Sequence, residues 1–149
     1  MPKMKLVIAG SRYYADSAEL NHILEPWSTM PADQLVVISL AEKGTSTLGE
    51  AWAKGLGFAI EKWGADRPAL GKRAGFMRNC HLVLEGDVDA MLVVRDQRAS
   101  KEHDHLIKMA AKVGIKTHVH KTVTETKQPD PNQGDMLTET PEFNEADAA

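Results

Sequence analysis

The sequence has a single cysteine, Cys80, in 149 residues. An internal disulfide is therefore excluded, and a reducing compartment, the cytoplasm, is the expected location. Aromatic residues make up only 5%, which argues against a surface that stacks many bases of a strand. No apolar run approaches the ~20 residues needed to span a bilayer, so no membrane partner is expected. The run from Leu6 to Ala9 is too short for a signal-peptide core. A strong charge of one sign is lacking too. The formal net charge is −3, far from the basic stripe of a duplex-DNA binder. No internal repeat is evident.

What is present suits one soluble globular domain. Hydrophobic residues make up 42% of the chain, and its length allows one real core. The small net charge hides an asymmetry. Residues 125–149 hold seven acids and one lysine, and residues 1–124 hold 17 bases and 14 acids. A mildly basic body with an acidic tail favours anionic ligands.

Strand-like and helix-like stretches alternate. Met4 to Ala9 is a short apolar run closed by Gly10, and Leu35 to Ser39 is a second. Phe58–Trp63, Val88–Val94 and Ile115–His120 complete five expected strands. Between them, Asp16-Ser-Ala-Glu19 has capping-box spacing and opens a helix to about Glu25, where Pro26 intervenes. Thr47-Leu-Gly-Glu50 has the same spacing. The helix it predicts carries Leu48, Ala51, Trp52 and Leu56 on one face and ends at Gly55 and Gly57. A helix is expected over Phe76–Glu85, and another, capped by Ser100, to about Lys112. The pattern predicts an α/β fold: a single Rossmann-like three-layer domain over residues 1–122 with a mainly parallel five-stranded sheet. Residues 123–149, rich in acids and prolines, read as a disordered acidic C-terminal tail.

In such a sheet, ligands bind beyond the carboxyl ends of the strands, where strand order reverses. Three segments leave strand ends with suitable chemistry: Gly10-Ser11-Arg12, Leu40-Ala-Glu-Lys43-Gly44-Thr-Ser46, and Arg95-Asp-Gln-Arg98-Ala-Ser100. The basic stretch Gly71-Lys72-Arg73-Ala-Gly75-Phe-Met-Arg78-Asn79 leads into a helix and can fold over the same edge. Arginine forks and helix starts suit a phosphate-bearing ligand.

These same residues resemble the SLOG superfamily, in its YspA-like branch. Gly10-Ser-Arg12 is similar to that branch's opening, as is Leu48-Gly-Glu-Ala-Trp52-Ala. Gly71-Lys-Arg-Ala-Gly75-Phe-Met-Arg78-Asn79 resembles its Gly-x-x-Ala-Gly-x-x-Arg-Asn signature. Ser100, with the helix that follows it to Gly114-Ile, completes a likeness spanning about residues 4–120. The resemblance implies a Rossmann-like fold holding nucleotides or nucleotide-derived ligands. Its relatives include cytokinin-activating phosphoribohydrolases, DNA-processing protein A and sensors of antiviral systems. This chain departs from the branch at Leu40-Ala41, where a glycine pair is usual, and at Glu102-His103, in place of Gly-Thr. Larger residues at such places are expected to narrow or reshape the pocket. The glycine-rich catalytic motif of the phosphoribohydrolases is absent from Val94–Ser100.

The sequence thus admits three functional readings. In the first, a nucleotide-derived small molecule is bound by Gly10, Ser11, Arg12, Lys43, Gly44, Lys72, Gly75, Arg78, Asn79 and Ser100, in a sensor or sequestering protein. In the second, Arg78 and Glu102 are catalytic residues hydrolysing an N-glycosidic bond of a nucleoside monophosphate. The third is a module for single-stranded nucleic acid or protein, which the modest charge disfavours. Pairing of copies through helix faces is compatible with all three. Structural roles compete for the same residues. Arg78-Asn79 can fix loop carbonyls, Trp52 and Trp63 suit packing, and Cys80 suits an ordinary half-buried thiol. His103 and His105 point to different helix faces, and His118 and His120 share a strand face without a third ligand. Neither a metal nor a cofactor is expected.

Overall fold

The computed structural model describes residues 3–124. Its elements run β1 (Met4–Gly10), α1 (Ser17–Ile23), α2 (Glu25–Ser28), β2 (Leu35–Ser39), α3 (Thr45–Leu56), β3 (Ala59–Lys62), α4 (Arg67–Leu70), α5 (Ala74–Glu85), β4 (Ala90–Arg95), α6 (Lys101–Lys112) and β5 (Lys116–Lys121). Short 3-10 turns, Ala32–Gln34 and Gly71–Arg73, precede β2 and α5. The strands form one sheet in the order β3-β2-β1-β4-β5, and every pairing is parallel. The expected α/β architecture is found.

The apolar runs become the three central strands because such a strand must bury both faces. Leu6, Ile8, Leu35, Val37, Leu92 and Val94 pack with Leu20 of α1, with Leu24 just after it, and with Trp52 and Ala53 of α3. Their neighbours Val7, Ala9, Ile38, Met91 and Val93 pack on the other side with Leu82 and Val83 of α5 and with Leu106 and Ala110 of α6. Two helical layers thus enclose the sheet. Each fully buried leucine in these layers contributes about 1.5–3 kcal/mol.

Several local expectations are corrected. Asp16 does cap α1, accepting from the Glu19 amide at 2.9 Å. The Glu19 carboxylate, however, turns to the Tyr14 hydroxyl at 2.8 Å rather than closing a box. The helix then breaks at Leu24, and Pro26 sits in the first turn of α2, where its missing N–H costs nothing. The second capping box does not form. The Ser11 carbonyl takes both the amide and the hydroxyl of Thr45, at 3.0 and 2.8 Å, and α3 starts there, capped at Gly44 rather than Thr47. Glu50 instead accepts from the Ser39 hydroxyl. The buried stripe of α3 is Thr45, Ser46, Gly49, Trp52 and Ala53, with Ala51 and Leu56 facing out. Small residues there let the helix approach β1 closely. Gly57 ends α3 as expected, in the left-handed region, whereas Gly55 lies inside the helix.

The first part of the glycine-basic stretch, residues 71–75, is helical rather than looped, forming the 3-10 turn and the start of α5, and the helix expected from Phe76 follows. Asp66 caps the short α4 before it, accepting from the Ala69 amide. At the far end the domain runs past the expected boundary. Thr124 is buried and bonds Asp96, Gln97 and Arg98. The tail expected from residue 123 lies, from 125 on, outside the described residues.

At the end of β1 the backbone passes so close to β4 that a Cβ on Gly10 would lie 2.2 Å from the Val94 carbonyl oxygen. Its φ of +149° also favours glycine. Gly10→Ala is expected to lower unfolding stability by about 2 kcal/mol or more. A urea midpoint shifted downward at pH 7 checks this, and an unchanged midpoint contradicts it.

Candidate functional site

Strand order reverses between β1 and β4, so the crevice at their carboxyl ends is where a ligand is expected. Ser11 lies at its floor. Its amide donates to the Val94 carbonyl at 2.8 Å, and its hydroxyl donates to Asp96 and accepts from the Tyr13 amide at 3.0 Å. Asp96 also accepts from the Arg98 amide at 2.9 Å, the Arg98 guanidinium at 2.8 Å and the Thr124 hydroxyl at 3.0 Å. Burial opposes ionisation of Asp96. The Ser11, Arg98 and Thr124 hydrogen bonds and the Arg98 charge outweigh it, holding the carboxyl below its ordinary 3.8.

Gly44, at φ +74°, starts α3 against this floor. A Cβ there would meet the Ser11 and Arg12 backbone at 2.5 Å. The first turn of α3 therefore faces the crevice, with the N–H groups after Thr45 and a buried Ser46 hydroxyl that has no partner among the described residues. Arg12 and Lys43 stand exposed beside it. Neither they nor Lys72 and Arg73 enter an ion pair among the described residues.

A second cluster borders the first. Arg78, only 5% exposed, extends from α5 to the Leu40 carbonyl at 3.4 Å, the Trp63 carbonyl at 3.3 Å and the Asn79 side-chain oxygen at 2.9 Å. Its charge faces Glu42 at 3.5 Å and Glu102 at 3.8 Å. Arg67 of α4 grips Glu102 through two nitrogens, each at 3.1 Å, and stands 3.6 Å from Glu42. The His103 imidazole is 3.8 Å from Glu42. Burial would push the Glu42 carboxyl up. The His103 contact and the charges of Arg78 and Arg67 outweigh it and hold Glu42 below its ordinary 4.5.

Asn79 is fully buried and donates to the Glu102 carbonyl at 2.8 Å, tying α5 to α6. Its amide also lies 3.3 Å from His105 Nδ1. Burial, with Lys112 nearby, lowers the His105 imidazole below its ordinary 6.5. Gly75 faces the same carboxylate. A Cβ there would fall 2.2 Å from the Glu102 carboxyl carbon.

The structure therefore gathers the sequence candidates into two groups. Gly10, Ser11, Arg12, Lys43 and Gly44 surround the crevice, and Gly75, Arg78, Asn79 and Glu102 form the ion cluster. The turn carrying Lys72 leads into the second group. Ser100 caps α6, accepting from the His103 amide at 3.2 Å. Leu40 does not narrow the crevice, because its side chain is buried in the core at 1% exposure. Ala41 adopts φ +60°, a left-handed conformation that glycine takes at less cost. Sequence reasoning missed Glu42, Arg67 and Asp96. Counting acids as well as bases in the same loops would have flagged all but Arg67.

A shallow groove of about 580 Å³ opens elsewhere, between α1, α2 and the C-terminal half of α3, lined by Asn21, His22, Glu25, Trp52 and Leu56 among others. It contains no lysine or arginine and does not suit a phosphate. No helix among the described residues is long and apolar enough to cross a membrane. In comparisons with known proteins, the chain matches no family model and no curated protein. Fold and crevice together define a Rossmann-like, all-parallel α/β domain.

The depressed Glu42 and Asp96 carboxyls bind fewer protons folded than unfolded. Their contribution to stability is present above their ordinary values of 4.5 and 3.8 and is lost as pH falls through the lower folded values. Glu42→Gln removes part of this and leaves Arg78 short of one partner. Urea unfolding is expected to show a loss of about 2 kcal/mol at pH 7, shrinking below about pH 4.5. A deficit independent of pH contradicts the ionic role.

Proposed function

We propose that the protein binds a nucleotide or nucleotide-derived anion at the carboxyl edge of its sheet, as a sensor or sequestering protein. The observation that carries this reading is the β1–β4 reversal with Arg12 and Lys43 exposed at its mouth and in no ion pair among the described residues. The first turn of α3 adds N–H donors and the positive end of a helix dipole there. The resemblance to the SLOG superfamily belongs to the same proposal. Phosphate contact falls to Arg12, Lys43 and Lys72. A phosphate at Arg78 has to displace Glu42 or Glu102, so Arg78 and Asn79 serve the wall of the site.

Calorimetry of the full chain against nucleoside monophosphates, ADP-ribose and cyclic dinucleotides tests this. Saturable binding is expected, weakening as salt rises. Replacing Arg12 and Lys43 together by alanine should weaken it about tenfold, the loss of roughly two exposed phosphate contacts. Silence across the set at sub-millimolar protein overturns the reading.

One contact favours a second reading, N-glycosidic hydrolysis. Arg78 Nη2 and Glu102 Oε1 stand 3.8 Å apart, so the two residues assigned to such chemistry are neighbours. Glu102 would stabilise oxocarbenium charge as the base departs and water adds, and Arg78 would hold the phosphate once the phosphate has displaced Glu42. Chromatographic detection of free base from a nucleoside monophosphate, abolished by Glu102→Gln, is the expected outcome if the bond is cleaved. Intact nucleotide after prolonged incubation with a binding-competent protein removes this reading and leaves binding alone.

A further inference from the structure

Tyr13 follows Arg12 directly and is 48% exposed, although its neighbour Tyr14 is buried. A single exposed aromatic is ordinary on a protein surface. This one is held in place. Its amide is bonded to the Ser11 hydroxyl, which fixes the backbone at the crevice floor. The Arg98 guanidinium lies 4.1 Å from its ring centroid. That guanidinium is itself anchored, to Asp96 at 2.8 Å and to the Thr124 hydroxyl at 2.6 Å. An arginine on an exposed loop ordinarily turns to solvent. Here two hydrogen bonds hold it over one ring face.

We infer that Tyr13, backed by Arg98, is a stacking platform for the aromatic base of the ligand. The inference rests on the binding proposed above and narrows its ligand to one bearing a planar base. One face of the ring is covered by a cation, and the residue as a whole keeps 48% of its surface exposed. A base is polarizable and flat, and it loses little by leaving water for such a face. The position fits as well. Tyr13 is one residue from the cation assigned to phosphate and two from the crevice floor, so phosphate and base of one small nucleotide are met by adjacent residues. Asp96 links the platform to the floor, since the same carboxylate holds the Ser11 hydroxyl and the Arg98 guanidinium. A sugar phosphate without a base gains nothing from Tyr13.

The experiment compares ribose 5-phosphate with the four nucleoside 5′-monophosphates by calorimetry, using the full chain. In the unaltered protein the tightest monophosphate is expected to bind at least about tenfold more tightly than ribose 5-phosphate. Tyr13→Ala should bring that nucleotide down to the ribose 5-phosphate level while leaving ribose 5-phosphate itself unchanged. Tyr13→Phe should keep the tight binding. Tyr13 is outside the core, and an unchanged thermal midpoint of each variant confirms the fold. Equal affinity for base-bearing and base-free ligands, or full nucleotide affinity in Tyr13→Ala, overturns the platform while leaving anion binding intact. Failure of every one of these ligands to bind the unaltered protein overturns the anion reading and the platform with it.

Discussion

Ser11 joins three separate parts of the structure. Its amide reaches β4, its carbonyl fixes where α3 begins, and its hydroxyl holds Asp96. These bonds need the backbone of β1 to run against that of β4, which only a residue without a Cβ permits at Gly10. The crevice is therefore a by-product of a close backbone contact. Strand order reverses there, the first turn of α3 is drawn to its rim, and the loop after β4 is held down by the same hydroxyl. Buried polar groups tend to find partners, and in this edge Ser11, Asp96, Arg98 and Thr124 find each other.

Beside that floor lies a set of charges removed from water. Arg78 carries a full positive charge at 5% exposure. An isolated buried charge costs several kcal/mol, and the cost is met by two carboxylates and two main-chain carbonyls. The consequence is mechanical as well as electrostatic. Glu42 comes from the loop after β2, Arg67 from α4, Arg78 from α5, and Glu102 and His103 from α6. One ion cluster thus fixes four segments to each other. It also divides the edge into a closed half, where charges are mutually satisfied, and an open half around Arg12 and Lys43. Glu102 takes the space above Gly75, so the bulk gained at one position depends on the bulk missing at the other.

Much of the fold was legible. The apolar runs from Leu6, Leu35 and Met91 were central strands because a run without polar interruption fits only a strand covered on both faces. The caps Asp16 and Ser100 were legible for a local reason: a side chain two or three residues from a free amide needs no tertiary help. The start of α3 was not legible, because the carbonyl that fixes it belongs to Ser11, far away in sequence. Nor was the helical state of residues 71–75, where two glycines suggest a loop. At the candidate site, the cations were found and their partners were not. Sequence gives a tally of charges by segment, and it does not show which pairs of loops meet.

The sequence by itself determined the alternation of strand and helix, the burial of the middle strands and the edge at which charged loops gather. Those follow from periodicity and from residues adjacent in the chain. Only the tertiary structure decided which arginines are spent on the protein's own acids and which stand open to solvent. Arg12 and Arg78 have the same chemistry and opposite circumstances, because a guanidinium's availability depends on the carboxylates that folding brings within about 4 Å of it, and that distance is set by contacts between residues dozens of positions apart.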